Sequence, residues 1–301
     1  MKFDQTFLRS LLSRLDSQAR RTFGFFCVER IVEPLNLWDP SCAQEARIFL
    51  NEFWQVFTNQ RNQTSWESHR KAIRKWENLC DIPNRENFEF PCFLANDILH
   101  AIASLIQNDQ HPTIDRVLNI ASCSYDATYY LADRIVSAQR DETRFVTYLP
   151  ESVVLQTGLV QTELQAQLDT LNRLSSMELN ESLIQALHSE SREIGQGFFQ
   201  AADQLVKSEE VAWDSVKTRF PVGSVVSGKI LFGLSDHTLD PHWGMSLGVF
   251  TKIDKKTYGF FKLEDCGIEL VTMASHIGRE LTGIVVEHNG QQRWLRLQTT
   301  L

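Results

Sequence analysis

The hydrophobic period of this chain changes once, near Pro221, and few architectures accommodate that change. Upstream, apolar residues recur at helical spacing: Phe7, Leu8, Leu11, Leu12 and Leu15, then Phe23, Phe26, Cys27 and Ile31. The repeat predicts antiparallel helices, with Pro34 and Pro40 bracketing the exit of the second and Ser41 opening the stretch 43–57. Further helices are predicted over 65–78, 93–106, 113–139, 152–174 and 180–213. Downstream come short β-branched or aromatic runs at 224–232, 247–253, 258–263, 280–286 and 294–298, parted by turn residues such as Asn289-Gly290. A period near 3.6 places one face of a helix and a period of two one face of a strand. The expected fold is therefore α+β and multidomain: an all-α helical bundle over 1–215, then a five-stranded β-barrel over 219–301. With 301 residues, each part can bury a core of its own.

Charge divides unevenly between the parts. Residues 220–301 hold eight Lys or Arg and eight Asp or Glu, which leaves 22 bases, 30 acids and the whole formal charge of −8 on residues 1–219. Such a surface disfavours phosphates and anionic lipid and favours a basic protein as any charged partner, and solubility accounts for it equally well. The N-terminus carries Asp4 and Arg9 where a secretory signal needs an unbroken apolar run, and even the apolar stretch 23–32 is cut by Glu29 and Arg30. Six cysteines at 27, 42, 80, 92, 123 and 266 form no Cys-x-x-Cys pair, so they read as buried free thiols rather than metal ligands. A cytoplasmic location without a membrane span is the expectation.

The barrel segment contains Phe220-Pro-Val-Gly-Ser-Val-Val-Ser-Gly-Lys-Ile, then Gly248-Val-Phe-Thr-Lys-Ile, Tyr258-Gly-Phe-Phe-Lys-Leu, Ile277-Gly-Arg-Glu-Leu-Thr-Gly-Ile-Val-Val and Gln292-Arg-Trp-Leu-Arg-Leu. In that order these blocks resemble the S1-like RNA-binding domain, which implies an OB-type barrel. Period-two sorting puts Val249, Thr251 and Ile253 on one face of the second strand and Phe250 with Lys252 on the other. In the third strand it turns Phe261 and Leu263 inward and Phe260 and Lys262 outward, and Trp294 with Arg296 repeats the pattern on the last. Exposed rings beside cations suit single-stranded nucleic acid, since bases stack on aromatic faces at roughly 1–3 kcal/mol each. The segment departs from the family in a long loop at 234–246, in Lys262 where His is common, and in its neutral charge.

The helical part carries Cys27-Val-Glu-Arg-Ile-Val-Glu-Pro-Leu-Asn, Phe53-Trp-Gln-Val-Phe, Ile82-Pro-Asn-Arg-Glu-Asn-Phe, Ala95-Asn-Asp-Ile-Leu and Ser191-Arg-Glu-Ile-Gly. Over about 7–200 it resembles the YjaG-like family of helical proteins without an assigned activity, which implies a bundle and no catalytic residues. Asp97 and Arg30 both sit among apolar neighbours, and a buried charge needs a partner, so an Arg30–Asp97 or Glu29–Arg30 ion pair is expected.

Signs of catalysis are weak. Gly244-Met-Ser-Leu-Gly248 matches a nucleophile elbow, but Ser246 precedes a strand rather than a helix. Asp236-His-Thr-Leu-Asp-Pro-His gathers His237 and His242 in a loop whose spacing fits ordinary turn chemistry. Trp38, Trp54 and Trp66 would mark a partner surface if exposed together. Neither catalytic residues nor a metal or other cofactor is expected. The expectation is a non-catalytic binding protein in which the helical domain supplies a docking surface and the barrel contacts RNA or an RNA-associated protein through Phe250, Lys252, Phe260, Lys262, Trp294 and Arg296. The alternative is an immunity-type protein that covers a basic toxin, such as a nuclease, with its acidic surface.

Overall fold

Capping residues set the register of the helical part. Asp4 and Asp16 accept the backbone N–H of Phe7 and Ala19 at 2.9 and 2.7 Å and so open α1 (Gln5–Leu12) and α2 (Ser17–Ile31). After the short α3 (Leu35–Trp38), Asp39 accepts from Ser41 and Cys42 at 2.8 and 3.0 Å, just ahead of Pro40 at the start of α4 (Pro40–Phe57). There follow α5 (Glu67–Asp81), α6 (Phe90–Gln110), α7 (Ile114–Gln139), α8 (Glu151–Val154), α9 (Gly158–Ser176) and α10 (Glu181–Arg219). This computed structural model describes residues 1–57, 67–81, 90–110, 113–139, 149–234, 248–254, 257–289 and 293–299. The Ser246 motif and the His237/His242 loop lie outside the described residues.

The continuous helix expected over 152–174 is broken. Thr157 caps α9, accepting from Val160 N–H at 3.5 Å while its hydroxyl donates to Val154 O at 2.8 Å, and α8 stops one turn after it begins. A threonine hydroxyl that can serve the backbone locally competes with a helix running through it. At the bundle's centre every residue of α2 from Thr22 to Ile31 is buried, with α6 and α9 packed against it. A helix enclosed on all sides carries its charged residues into the core, which is the situation of Glu29 and Arg30.

The C-terminal strands are β1 (Val225–Leu234), β2 (Gly248–Lys252), β3 (Tyr258–Lys262), β4 (Glu280–Asn289) and β5 (Trp294–Thr299). They close into a barrel in the order β1-β2-β3-β5-β4, antiparallel throughout except for the parallel pair β3 and β5. Register shifts between Ile230 and Phe232 and between Val285 and Glu287 bend β1 and β4 as closure requires. A helical turn, α11 (Leu263–Cys266), ends at Gly267 with φ of 64°. The interior holds Val226, Ile230, Val249, Phe261, Val285, Leu295 and Leu297, joined by Trp213 and Val216 from the last turns of α10. Gly283 makes room for Phe261, whose ring would stand 2.5 Å from a Cβ there.

Contacts divide the chain into two units. The first is built from Met1–Asp81, Phe90–Val136 and Tyr148–Gln204, and the second takes in Leu205–Leu301. Cys27 and Cys42 are buried free thiols, whereas Cys123 and Cys266 are half-buried ones. Among the described residues no helix is long and apolar enough to cross a membrane.

Candidate functional site

The barrel surface expected to bind nucleic acid is sorted by face as the alternation implies, with Val249 and Phe261 inside and Phe250 and Phe260 on the other side of their strands. Yet that other side is not open. Phe250, Phe260 and Trp294 are only 1%, 6% and 5% exposed. Phe250 lies opposite Phe260 in the β2–β3 register, their centroids 4.9 Å apart, and Trp294 meets them at 4.8 and 5.5 Å. With Tyr258 and the half-buried Leu231 they make a second apolar cluster. Gly248 belongs to the same packing, since a Cβ there would stand 2.4 Å from the Phe260 ring and 2.2 Å from the Phe261 carbonyl.

The stacking platform is therefore corrected: three rings that pack on one another cannot also stack on bases. The cations beside them are constrained too. Lys262 lies 3.5 Å from Glu264 and Arg296 3.3 Å from Glu287, while Lys252 is half-buried. Phosphate would have to displace a carboxylate at two of these three positions.

The expected Arg30–Asp97 pair is replaced by a different one. Arg30, 1% exposed, donates from Nε to Glu163 Oε2 at 2.7 Å and from Nη2 to Glu163 Oε1 at 3.1 Å, a two-pronged contact from α2 to α9. Ser124 Oγ on α7 and Gln167 Nε2 donate to the same Oε1 at 2.7 and 2.8 Å. Arg30 Nη2 also donates to Cys27 Sγ at 3.3 Å. Burial alone would weaken the guanidinium's hold on its proton, but Glu163 and Cys27 reverse this and the Arg30 pKa rises. Burial pushes the Cys27 thiol up to about 12 against the opposing pull of Arg30, so it is no nucleophile.

Asp97 instead lies half-buried on α6. Burial, and then the nearby Asp126, push its carboxyl up to about 6, with His100 pulling the other way. Asp126 accepts from Ser122 Oγ at 3.2 Å, and burial raises its pKa as well.

Glu29 was the other acid expected beside Arg30, and it too turns elsewhere. It is 2% exposed and accepts from Arg47 Nη1 at 2.9 Å, with His188 Nε2 at 3.5 Å and Arg192 at 3.7 Å. Burial raises the Glu29 pKa, but the His188 hydrogen bond and Arg47 outweigh it and the net shift is downward. Trp54 stacks on His188 at 3.9 Å, whereas Trp38 packs edge-on against Trp76 at 5.9 Å, so these two tryptophans have separate partners. Trp66 lies outside the described residues.

Glu163, Ser124 and Gln167 escaped sequence reasoning. A signal was present, because Glu163 and Gln167 interrupt the stripe Val160, Leu164 and Leu171 on the buried side of α9. Among the described residues no group of three or more His, Cys, Asp or Glu is placed to hold a metal ion.

A helical bundle organised round an enclosed, charge-bearing helix, with a separate closed five-stranded barrel, is the class of protein these features define. Residues 8–197 match the family described as "Protein of unknown function (DUF416)", and the chain belongs to that family. The chain is similar to a solved DUF416 family protein from Shewanella baltica OS155, at a TM-score of 0.50 and 16% identity, over 62% of this chain and 93% of that one. That likeness concerns the fold. No curated protein matches.

Proposed function

We propose that the chain is a non-catalytic binding protein whose acidic helical part receives a basic protein partner. The observation that carries this reading is the charge division: the whole formal charge of −8 falls on residues 1–219. A one-signed field of this kind steers a basic partner and speeds encounter more than it adds to final affinity. An immunity-type role, covering a basic toxin or nuclease in a one-to-one complex, is one form of this activity. The YjaG-like resemblance is compatible with it, since that family implies a bundle and no catalytic residues.

The second reading keeps the S1-like barrel as a contact for RNA or an RNA-associated protein. The five-strand closure favours it, but enclosure of Phe250, Phe260 and Trp294 leaves it only Lys252, Lys262 and Arg296. Tagged chain is captured from cells, the partner is identified, and the complex is rebuilt from pure components. Under the first reading the partner is basic, binds one to one, and associates more slowly as salt rises. A single-stranded RNA that binds tightly at low salt, together with failure to rebuild any protein complex, would overturn it in favour of the second.

A further inference from the structure

In the first unit a solvent-facing groove of about 650 Å3 runs between α9 and α10 and reaches down to Arg30. The size suits a small ligand or one side chain with its backbone. At its inner end Glu163 occupies Nε and Nη2 of Arg30, while Nη1 is buried and has no hydrogen-bond partner. A buried donor of this kind is costly unless something accepts from it. At its rim stand Asp169, Glu190 and Glu193, all exposed. Arg173 holds Glu190 at 2.6 Å, whereas among the described residues neither Asp169, which accepts from Gln165 Nε2 at 2.8 Å, nor Glu193 meets a cation.

These charges choose the ligand. Arg30 is already neutralised by Glu163, so an anion at Nη1 would add a second negative charge beside Glu163 and face two acids that no cation among the described residues neutralises. A neutral carbonyl oxygen satisfies Nη1 without that cost, and a cation elsewhere on the same ligand satisfies the rim. We propose that this groove binds a basic residue within a peptide: its main-chain carbonyl accepts from Arg30 Nη1, and its cationic side chain is held by Asp169 and Glu193. The proposal rests on the protein-docking reading for the source of the ligand, and names the chemistry recognised.

The test is calorimetric titration of the full chain with Nα-acetyl-arginine amide, which carries both a neutral carbonyl and a cation. Expected are saturable one-site binding and weaker binding by free arginine, whose carboxylate faces the acids, and by spermidine, which lacks a carbonyl. Asp169→Asn with Glu193→Gln, both on exposed side chains, should weaken binding about tenfold. Ala166→Trp should fill the groove and abolish binding, and Thr162→Trp at the exposed rim does the same work should Ala166→Trp fail to fold.

Absence of saturable binding overturns the proposal. So does undiminished binding in a folded groove-filling variant, or spermidine binding as tightly as blocked arginine. If blocked arginine fails while a basic partner still associates in a salt-sensitive way, the groove assignment falls and the docking reading stands. If blocked arginine binds and no basic partner can be rebuilt, the reverse holds.

Discussion

Glu163 holds the most exacting position in the bundle, because its buried carboxylate gathers Arg30, Ser124 and Gln167 from three places in the chain. Glu163→Leu strands the Arg30 charge in the core and should cost about 3–5 kcal/mol in urea unfolding, most of which a further Arg30→Met change should restore. Asp97 behaves in the opposite sense. Its carboxyl titrates near 6 in the folded chain against an ordinary 3.8, so folding binds a proton there, and stability is lost as pH rises from about 4 to 6. Asp97→Asn should therefore stabilise the chain by about 1–2 kcal/mol at pH 7, screening included, and the gain should vanish below about pH 4. Denaturant midpoints across that range check the sign. That Arg30 needed a buried carboxylate was legible in the sequence. Which carboxylate was not, because Asp97 and Glu163 both interrupt apolar faces, and a separation of 133 residues along the chain says nothing of distance in space.

Elements were legible to the extent that their period was. The alternation in β2 and β3 assigned Val249, Phe250, Phe260 and Phe261 to their observed faces, but alternation reports which face a residue takes and not whether that face is covered. Phe250, Phe260 and Trp294 fell into that gap. Phe260→Ala should accordingly cost about 3–5 kcal/mol, as for a core ring, where an exposed stacking residue would change stability by about 0.5 kcal/mol or less. The break before α9 was missed for a related reason: helical spacing runs on through 152–174, and one hydroxyl at Thr157 decides the matter locally. Thr157→Ala should remove about 1 kcal/mol and lower the thermal midpoint.

The whole molecule joins a family bundle, matched over residues 8–197, to a barrel that the match does not reach. The change of period near Pro221 marked the two folds, but α10 continues to Arg219, and Trp213 and Val216 pack into the barrel's interior. A fragment of residues 205–301 should therefore unfold cooperatively, whereas one beginning at 219 should be weaker by about 2–4 kcal/mol for want of those two side chains. Barrel closure has a consequence for handling as well as for shape. Because the described strands bond to one another in a ring, none of them presents a bare row of amides on which a neighbouring molecule could grow, so concentrated solutions should resist fibre formation seeded from these strands.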